Sequence, residues 1–437
     1  MQISGWGRYP KIDAEVILPR DLSQACALVK SDGLLIPRGL GRAYGDSSLA
    51  NRVLETTNLQ FFHSFDSVSG VLSCDAGVSL FEILKVFVPK GWFIPVSPGT
   101  RFVTVGGAIA SDVHGKNHHL DGTFGQHVVS LQLLLGNGEI VRVSPTENTA
   151  LFHATCGGMG LTGTILSASF RLVPIKSSEI IETTIKAANL DAVLDGFAQF
   201  GASTYTVAWI DCLAQGENLG RSLLMVGEHA EDGPLTVADK NPLTMPVDAP
   251  SSLLNPFSIK AFNALYYAKA QHGLSTRRRS FESYFYPLDQ ILQWNKLYGK
   301  AGFMQYQFVI PTSAGREGLR QILKTIAASG QGSFLAVLKT FGKKNANYLS
   351  FPIEGYTLAL DFKVTESIFA LMDQLDQLVL QYGGRLYLAK DARMSETTFK
   401  TSYPNWQDFE AVREHYHAIG KFASLQSKRL GLAWVDS

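Results

Sequence analysis

Residues 98–119 read "PGTRFVTVGGAIASDVHGKNHH", and this stretch decides what kind of fold surrounds it. Its small residues, Gly106, Gly107, Ala108, Ala110 and Ser111, let a main chain pass close beneath a large flat ligand, because no side chain projects far beyond Cβ. The same stretch carries His114, His118 and His119. His114 and His118 stand four apart, a spacing that on a helix would offer two imidazoles to a metal ion. Gly115 and the missing helical period argue against that helix, and Lys116 would repel the cation, so no metal is expected. His118 and His119 are expected to be satisfied structural histidines. His114 directly follows the glycine-spaced run and is expected to serve a ligand.

Upstream, "IPRGLGRAYGD" at 36–46 puts Gly39, Gly41 and Gly45 after a short apolar run, where backbone amides can approach a phosphate. A Rossmann dinucleotide site would want such glycines to open a helix, whereas Tyr44, Gly45 and Asp46 lead into the polar "DSSLANR". A third cluster, "CGGMGLTG" at 156–163, supplies Gly157, Gly158, Gly160 and Gly163. Three glycine-rich turns suit one long cofactor better than a single phosphate. Between them, residues 70–92 predict a strand and then a helix with Leu80, Ile83, Leu84 and Phe87 on one face, ending near Gly91. Residues 128–145 predict a hairpin turning at Asn137-Gly138.

From 178 to 384 the texture changes, with alternating strands such as "STYTVAWIDCL", "FMQYQFVIP" and "YTLALDF". Gln305 and Gln307 share one face of their strand and suit sugar hydroxyls. Residues 251–280 join an aromatic stretch to Arg277, Arg278 and Arg279. A mobile segment with solvated charges is expected there, and the sharper alternative is a flap touching a lipid headgroup or phosphate.

The chain has 437 residues, which predicts two domains, or one domain with a large insert. Its 39 Lys+Arg against 38 Asp+Glu give no field that would draw it to nucleic acid. Four scattered cysteines without a CxxC predict neither zinc nor disulfides. With no signal-like start and no spanning apolar stretch, a cytoplasmic protein is expected.

Taken in order, "IPRGLGRAYGD", residues 98–119, "GTFGQHVVSLQLL" and "GGMGLTG" resemble the FAD-binding domain of the vanillyl-alcohol oxidase superfamily. The likeness continues through "GWGR" at 5–8, "AGFMQYQFVIP", "LAVLKTFG", "SFPIEGYTLALDF" and "GGRLYLAKDAR", and across the whole chain it is similar to the decaprenylphosphoryl-β-D-ribose oxidase family. The resemblance implies an α+β protein: a two-part FAD-binding domain (1–177, rejoined by 385–437) with an inserted antiparallel-sheet substrate domain (178–384).

It also implies site residues. The FAD pyrophosphate would lie on Arg38, Gly39, Leu40, Gly41, Arg42, Ala43, Tyr44 and Gly45, with Gly99, Thr104, Val105, Gly106 and Gly107 extending the cradle. Flavin contacts would come from His114, Gly115, Lys116, Asn117, Ile165 and Tyr387. Ala43 stands where some members carry a linking histidine, so non-covalent FAD is expected. Lys390, with His114, is the candidate catalytic group. Tyr44, Lys116, Gln307, Lys339, Thr357 and Lys390 are the candidate substrate contacts, with Tyr298 and Trp209 as apolar walls. Mycobacterial members carry a cysteine in place of Ala359 and an asparagine in place of Thr357, so a thiol-directed agent should find no anchor here. The implied reaction is oxidation of the 2′-OH of a polyprenyl-phosphoryl ribose, completed to the arabinose epimer by a separate short-chain dehydrogenase/reductase. Such a substrate would bring peripheral contact with the inner membrane. The alternatives are an FAD-dependent alditol or aldonolactone oxidase, a nicotinamide-dependent dehydrogenase, and a sugar-lipid binding protein without catalysis.

Overall fold

The computed structural model describes residues 1–238, 243–250, 253–271 and 273–433. Two antiparallel sheets dominate. A five-stranded sheet runs in the order Ile140–Val143, Val128–Leu134, Thr164–Arg171, Val71–Asp75, Phe62–Asp66. The helix Leu80–Phe87 begins at a reciprocal cap between Ser79 and Glu82. It buries Leu80, Ile83, Leu84 and Phe87, the face expected from their spacing. Gly91 follows at φ +79°, a conformation that spares glycine alone a Cβ clash. The hairpin at Asn137-Gly138 joins the expected strands, with Gly138 at φ +84°. Beside this sheet, Glu15–Ile17, Arg52–Glu55 and Ile36–Arg38 form a small parallel sheet, and Ile36–Arg38 feeds the first glycine turn.

The second sheet has eight strands, ordered Leu274–Ser280, Glu179–Ala187, Ser222–His229, Tyr205–Ile210, Ala336–Phe341, Gly355–Lys363, Phe303–Pro311, Arg385–Leu386. Helices Leu190–Gln199, Thr312–Ser329 and Glu366–Gln381 bury their apolar stripes against it. Because side chains alternate across a strand, the residues between those core positions point the other way, and Gln305, Gln307, Val337, Lys339, Ala359 and Asp361 face a cavity.

The 251–280 stretch differs from expectation. Asn255 caps a helix, Pro256–Lys269, and Leu274–Ser280 is the edge strand of the large sheet. Its arginines are not a free cluster: Arg277 and Arg279 both pair with the fully buried Glu182, and Arg278 pairs with Glu179 and Asp232. A buried carboxylate would be unstable without such partners, and this orders the strand. Ser251, Ser252 and His272 lie outside the described residues.

The chain returns to its beginning after residue 386. Tyr44 N–H donates to the Ala389 carbonyl at 2.9 Å, and Ala423 N–H donates to the Leu35 carbonyl at 3.1 Å. Arg429 Nη2 holds Asp46 at 2.7 Å and Asp391 at 2.8 Å, so one guanidinium joins the first glycine turn to the "KDAR" turn. Both carboxylates are buried and would be left uncompensated without it. Arg429→Ala is expected to lower stability by roughly 3 kcal/mol, checked by denaturant unfolding.

Candidate active site

The elements meet around a cavity of about 510 Å³, within the size range of cofactor and substrate pockets. Its wall comes from the first glycine turn (37–44), residues 98–107, Met159 to Ile165, the inner face of the eight-stranded sheet, and Tyr387 to Lys390.

Within the first turn the one hydrogen bond among the described residues runs from the Arg42 guanidinium to the Leu40 carbonyl, at 2.8 Å, and uses no backbone amide. Among the described residues, the N–H groups of Gly39, Leu40, Gly41, Arg42 and Ala43 make no hydrogen bond. Consecutive unpaired amides beside a cavity form an anion-binding concavity. The backbone is held from outside: Arg38 donates to the carbonyls of Ser4 (2.7 Å) and Ser48 (3.2 Å), and Trp6 N–H donates to the Ala43 carbonyl (2.8 Å). The helix Val105–Ala110 is different, because its first amides are taken by Val78, Ala76 and the Thr104 hydroxyl. The run of five consecutive free donors therefore sits on the first turn. Glycine supplies room on the second: a Cβ at Gly99 would meet no protein atom within 4 Å, and one at Gly107 only Thr104 Oγ1 at 3.1 Å. A diphosphate needs unpaired amides and an isoalloxazine needs unobstructed backbone, so these residues fit FAD.

Facing this cradle is a cationic wall. Lys390 Nζ lies 3.8 Å from the centre of the Tyr44 ring, a cation–π contact. Burial pulls its ammonium down to about 7, offset in part by Asp361 and reinforced by Lys339. Burial also lowers Lys339, to about 8. Lys339 Nζ is 3.2 Å from His114 Nδ1, and Gln307 Nε2 is 3.1 Å from His114 Nε2. Burial, then the charges of Lys339, His118 and Lys390, push His114 well below the usual imidazole range, so the ring is neutral. A neutral ring has one N–H and one lone pair. One neighbour must therefore accept, either Lys339 as a free amine or Gln307 through its amide oxygen. Thr357 Oγ1 completes the line, 3.2 Å from the Gln307 amide and donating to the Phe308 carbonyl at 2.8 Å.

The expected residues divide clearly. Arg38 to Tyr44, Gly99, Thr104, Gly106, Gly107, His114, Ile165, Tyr387, Gln307, Lys339 and Lys390 line the cavity. Gly45, Val105, Gly115, Lys116, Asn117 and Thr357 stand behind the wall. Gly45 packs on the Asp391 carbonyl, Asn117 donates to Pro95 and Asp121, and Lys116 donates to the Tyr284 carbonyl with Nζ 3.9 Å from that ring's centre. Trp209 packs on Tyr266 and Tyr298 stacks on Phe303, also behind the wall. His118 accepts from Gly342 N–H, and His119 Nε2 lies 2.9 Å from the Ser203 carbonyl. The sequence reading missed Trp6, Asp289, Val337 and Asp361 on the wall. Asp361 was findable, since it lies on the same strand face as Ala359.

Comparison with known proteins agrees with this arrangement. Residues 14–144 match the FAD binding domain family, and residues 289–430 match the D-arabinono-1,4-lactone oxidase family. The chain is 38% identical to a decaprenylphosphoryl-β-D-ribose oxidase of Mycolicibacterium smegmatis, over 99% of this chain and 97% of that protein. It is 31% identical to an uncharacterised Streptomyces coelicolor protein, over 81% of this chain and 100% of the other. A D-arabinono-1,4-lactone oxidase of Yarrowia lipolytica is 28% identical over 32% of this chain and 26% of its own length. With both halves of the cavity matched, and near-complete coverage of one relative, the chain belongs to the decaprenylphosphoryl-β-D-ribose oxidase family and is an FAD-dependent oxidoreductase acting on CH–OH groups.

Proposed function

We propose that this chain oxidises the 2′-OH of a polyprenyl-phosphoryl ribose, using non-covalently held FAD, to a keto-sugar that a separate short-chain dehydrogenase/reductase reduces to the arabinose epimer. The observation that carries the reading is that one cavity is lined both by five unpaired amides at Gly39–Ala43 and, on the ring of the next residue Tyr44, by an amine at Lys390 lowered to about 7. The name of the Mycolicibacterium relative supports the choice of sugar.

When bound, the flavin supplies the two-electron acceptor for the carbinol carbon. The amides of residues 39–43 hold its diphosphate, and Gly99 keeps the backbone clear, while Gly106 lets the helix Val105–Ala110 pack closely on Ala76. Lys390 takes the hydroxyl proton, a task that suits a base whose titration lies near neutrality. Gln307, held by Thr357, orients the sugar, and Lys339 with His114 forms the polar side of the pocket. Tyr44 carries the lysine on its ring. Ala43 on the turn offers no nucleophile for a covalent flavin link.

In this reading, residues 178–384 form the substrate domain, and the segments 1–177 and 385–437 form the FAD domain. Among the described residues no helix is long and apolar enough to cross a membrane. Leu243, Phe257, Leu265 and Leu274 are exposed apolar side chains, and the strand at Leu243 pairs with Ile291, which lines the cavity. They would let a cytoplasmic enzyme rest on the inner membrane and reach a lipid-linked substrate. A soluble aldonolactone is the second reading, favoured by the family match at residues 289–430.

Anaerobic mixing decides between them. The flavin absorbance is expected to bleach with a short-chain polyprenyl-phosphoryl ribose and to stay unchanged with alditols and aldonolactones; the reverse result selects the second reading. Lys390→Ala should slow bleaching by about 10²–10⁴-fold. Because the base must be neutral, kcat/KM should fall about tenfold per unit as pH drops below about 7. Gly99→Leu should purify with less FAD while keeping the melting temperature of the flavin-free protein, since Gly99 lines the cavity and a Cβ there meets no protein atom within 4 Å.

A further inference from the structure

Two carboxylates stand on the cavity wall, Asp289 and Asp361. Asp289 is occupied by the N–H of Arg101 at 2.9 Å. Asp361 is 2% exposed and pairs across the sheet with Gln305, whose amide donates to Oδ1 at 2.6 Å. The Tyr298 hydroxyl, buried without a well-formed hydrogen bond, faces the same carboxyl. No ion pair reaches Asp361 among the described residues, so its charge is left to neutral donors. Lys390 is in the complementary position: it has no ion pair among the described residues and rests on the Tyr44 ring. A buried carboxyl and a half-buried amine of opposite charge thus line one cavity with no ion pair between them.

We propose that Asp361 is a positioning residue for the oxidation, setting the charge of Lys390 across the cavity. The inference rests on Lys390 as the base. In the low-dielectric pocket an opposite charge acts beyond contact distance, and it favours the ammonium form. The other groups facing Lys390 are Lys339, which opposes that form, the neutral His114, and the Tyr44 phenol. Those facing Asp361 are Gln305, Tyr298 and Tyr44. Burial raises the Asp361 carboxyl to about 7, matching the lysine, so neither group is locked in one state near neutrality. A base that must pick up a proton and then release it in each cycle benefits from such a neighbour.

The test reads Lys390 directly. Holoenzyme is labelled with trinitrobenzenesulfonate, which modifies only neutral amines, across a pH series, and the Lys390 peptide is quantified by mass spectrometry. In Asp361→Asn the midpoint should move down by about one pH unit, because the charge that favours the ammonium is gone. The acid limb of kcat/KM should move with it. Asp361→Glu should restore both. Gln305→Leu provides a second route if Asp361→Asn fails to fold: without its amide donor the carboxyl stays protonated to higher pH, and the Lys390 midpoint should again fall. An unchanged midpoint in a folded, flavin-loaded Asp361→Asn overturns the proposal, as does a lost activity that Asp361→Glu leaves unrestored. If no sugar bleaches the wild-type flavin, the oxidase reading fails, while the labelling midpoints still judge the role of Asp361.

Discussion

The arrangement depends on one buried carboxylate. Asp112 is fully buried, at φ +40°, and its oxygens accept from Gly125 N–H (2.9 Å), Asn345 Nδ2 (2.7 Å), Asn347 Nδ2 (2.8 Å) and Ser350 Oγ (2.5 Å). A carboxyl group out of water is tolerable only when its oxygens are hydrogen-bonded, and four donors meet them. Three of the donors come from residues 345–350, just before the strand Gly355–Lys363. The carboxylate therefore ties the loop that follows the helix Val105–Ala110 to the large sheet, two residues before His114. This constraint lets His114 meet Lys339 and Gln307 from the sheet. Tyr387 adds a second tie, donating to the Ser111 carbonyl at 2.8 Å and stacking on Phe351.

The electrostatics of the cavity follow from that closure. Several buried charges elsewhere in the chain are matched directly: Arg429 with Asp46 and Asp391, Arg393 with Asp376, Arg277 and Arg279 with Glu182. On the cavity wall, Lys339, Lys390 and Asp361 lack such pairs among the described residues, and burial has shifted each toward its neutral form. Unmatched titratable groups in a concave site are what proton-transfer chemistry requires, and structural ion pairs could not serve it.

Much of the fold was legible because local physics specifies it. The helix Leu80–Phe87 follows from the spacing of four apolar residues and a cap, and the turn at Gly138 from the only residue free to adopt its φ. The 251–280 stretch was misread because the partner that orders it, Glu182, lies about ninety residues earlier and is joined only by sheet pairing. Lys116 was placed on the site through the resemblance, and the structure shows its ammonium donating to the Tyr284 carbonyl, a contact with a residue 168 positions away that no local pattern announces.

The sequence by itself determined the class of cofactor site, since glycine turns and small residues act through the absence of a side chain, a property each carries wherever it is folded. It determined the family through motifs spread over the whole chain. Only the tertiary structure decided which amides remain unpaired, which lysines lose their water, and that Asp361 shares a wall with Lys390. Those are properties of what surrounds a group, and burial and charge neighbours exist only once distant strands have met.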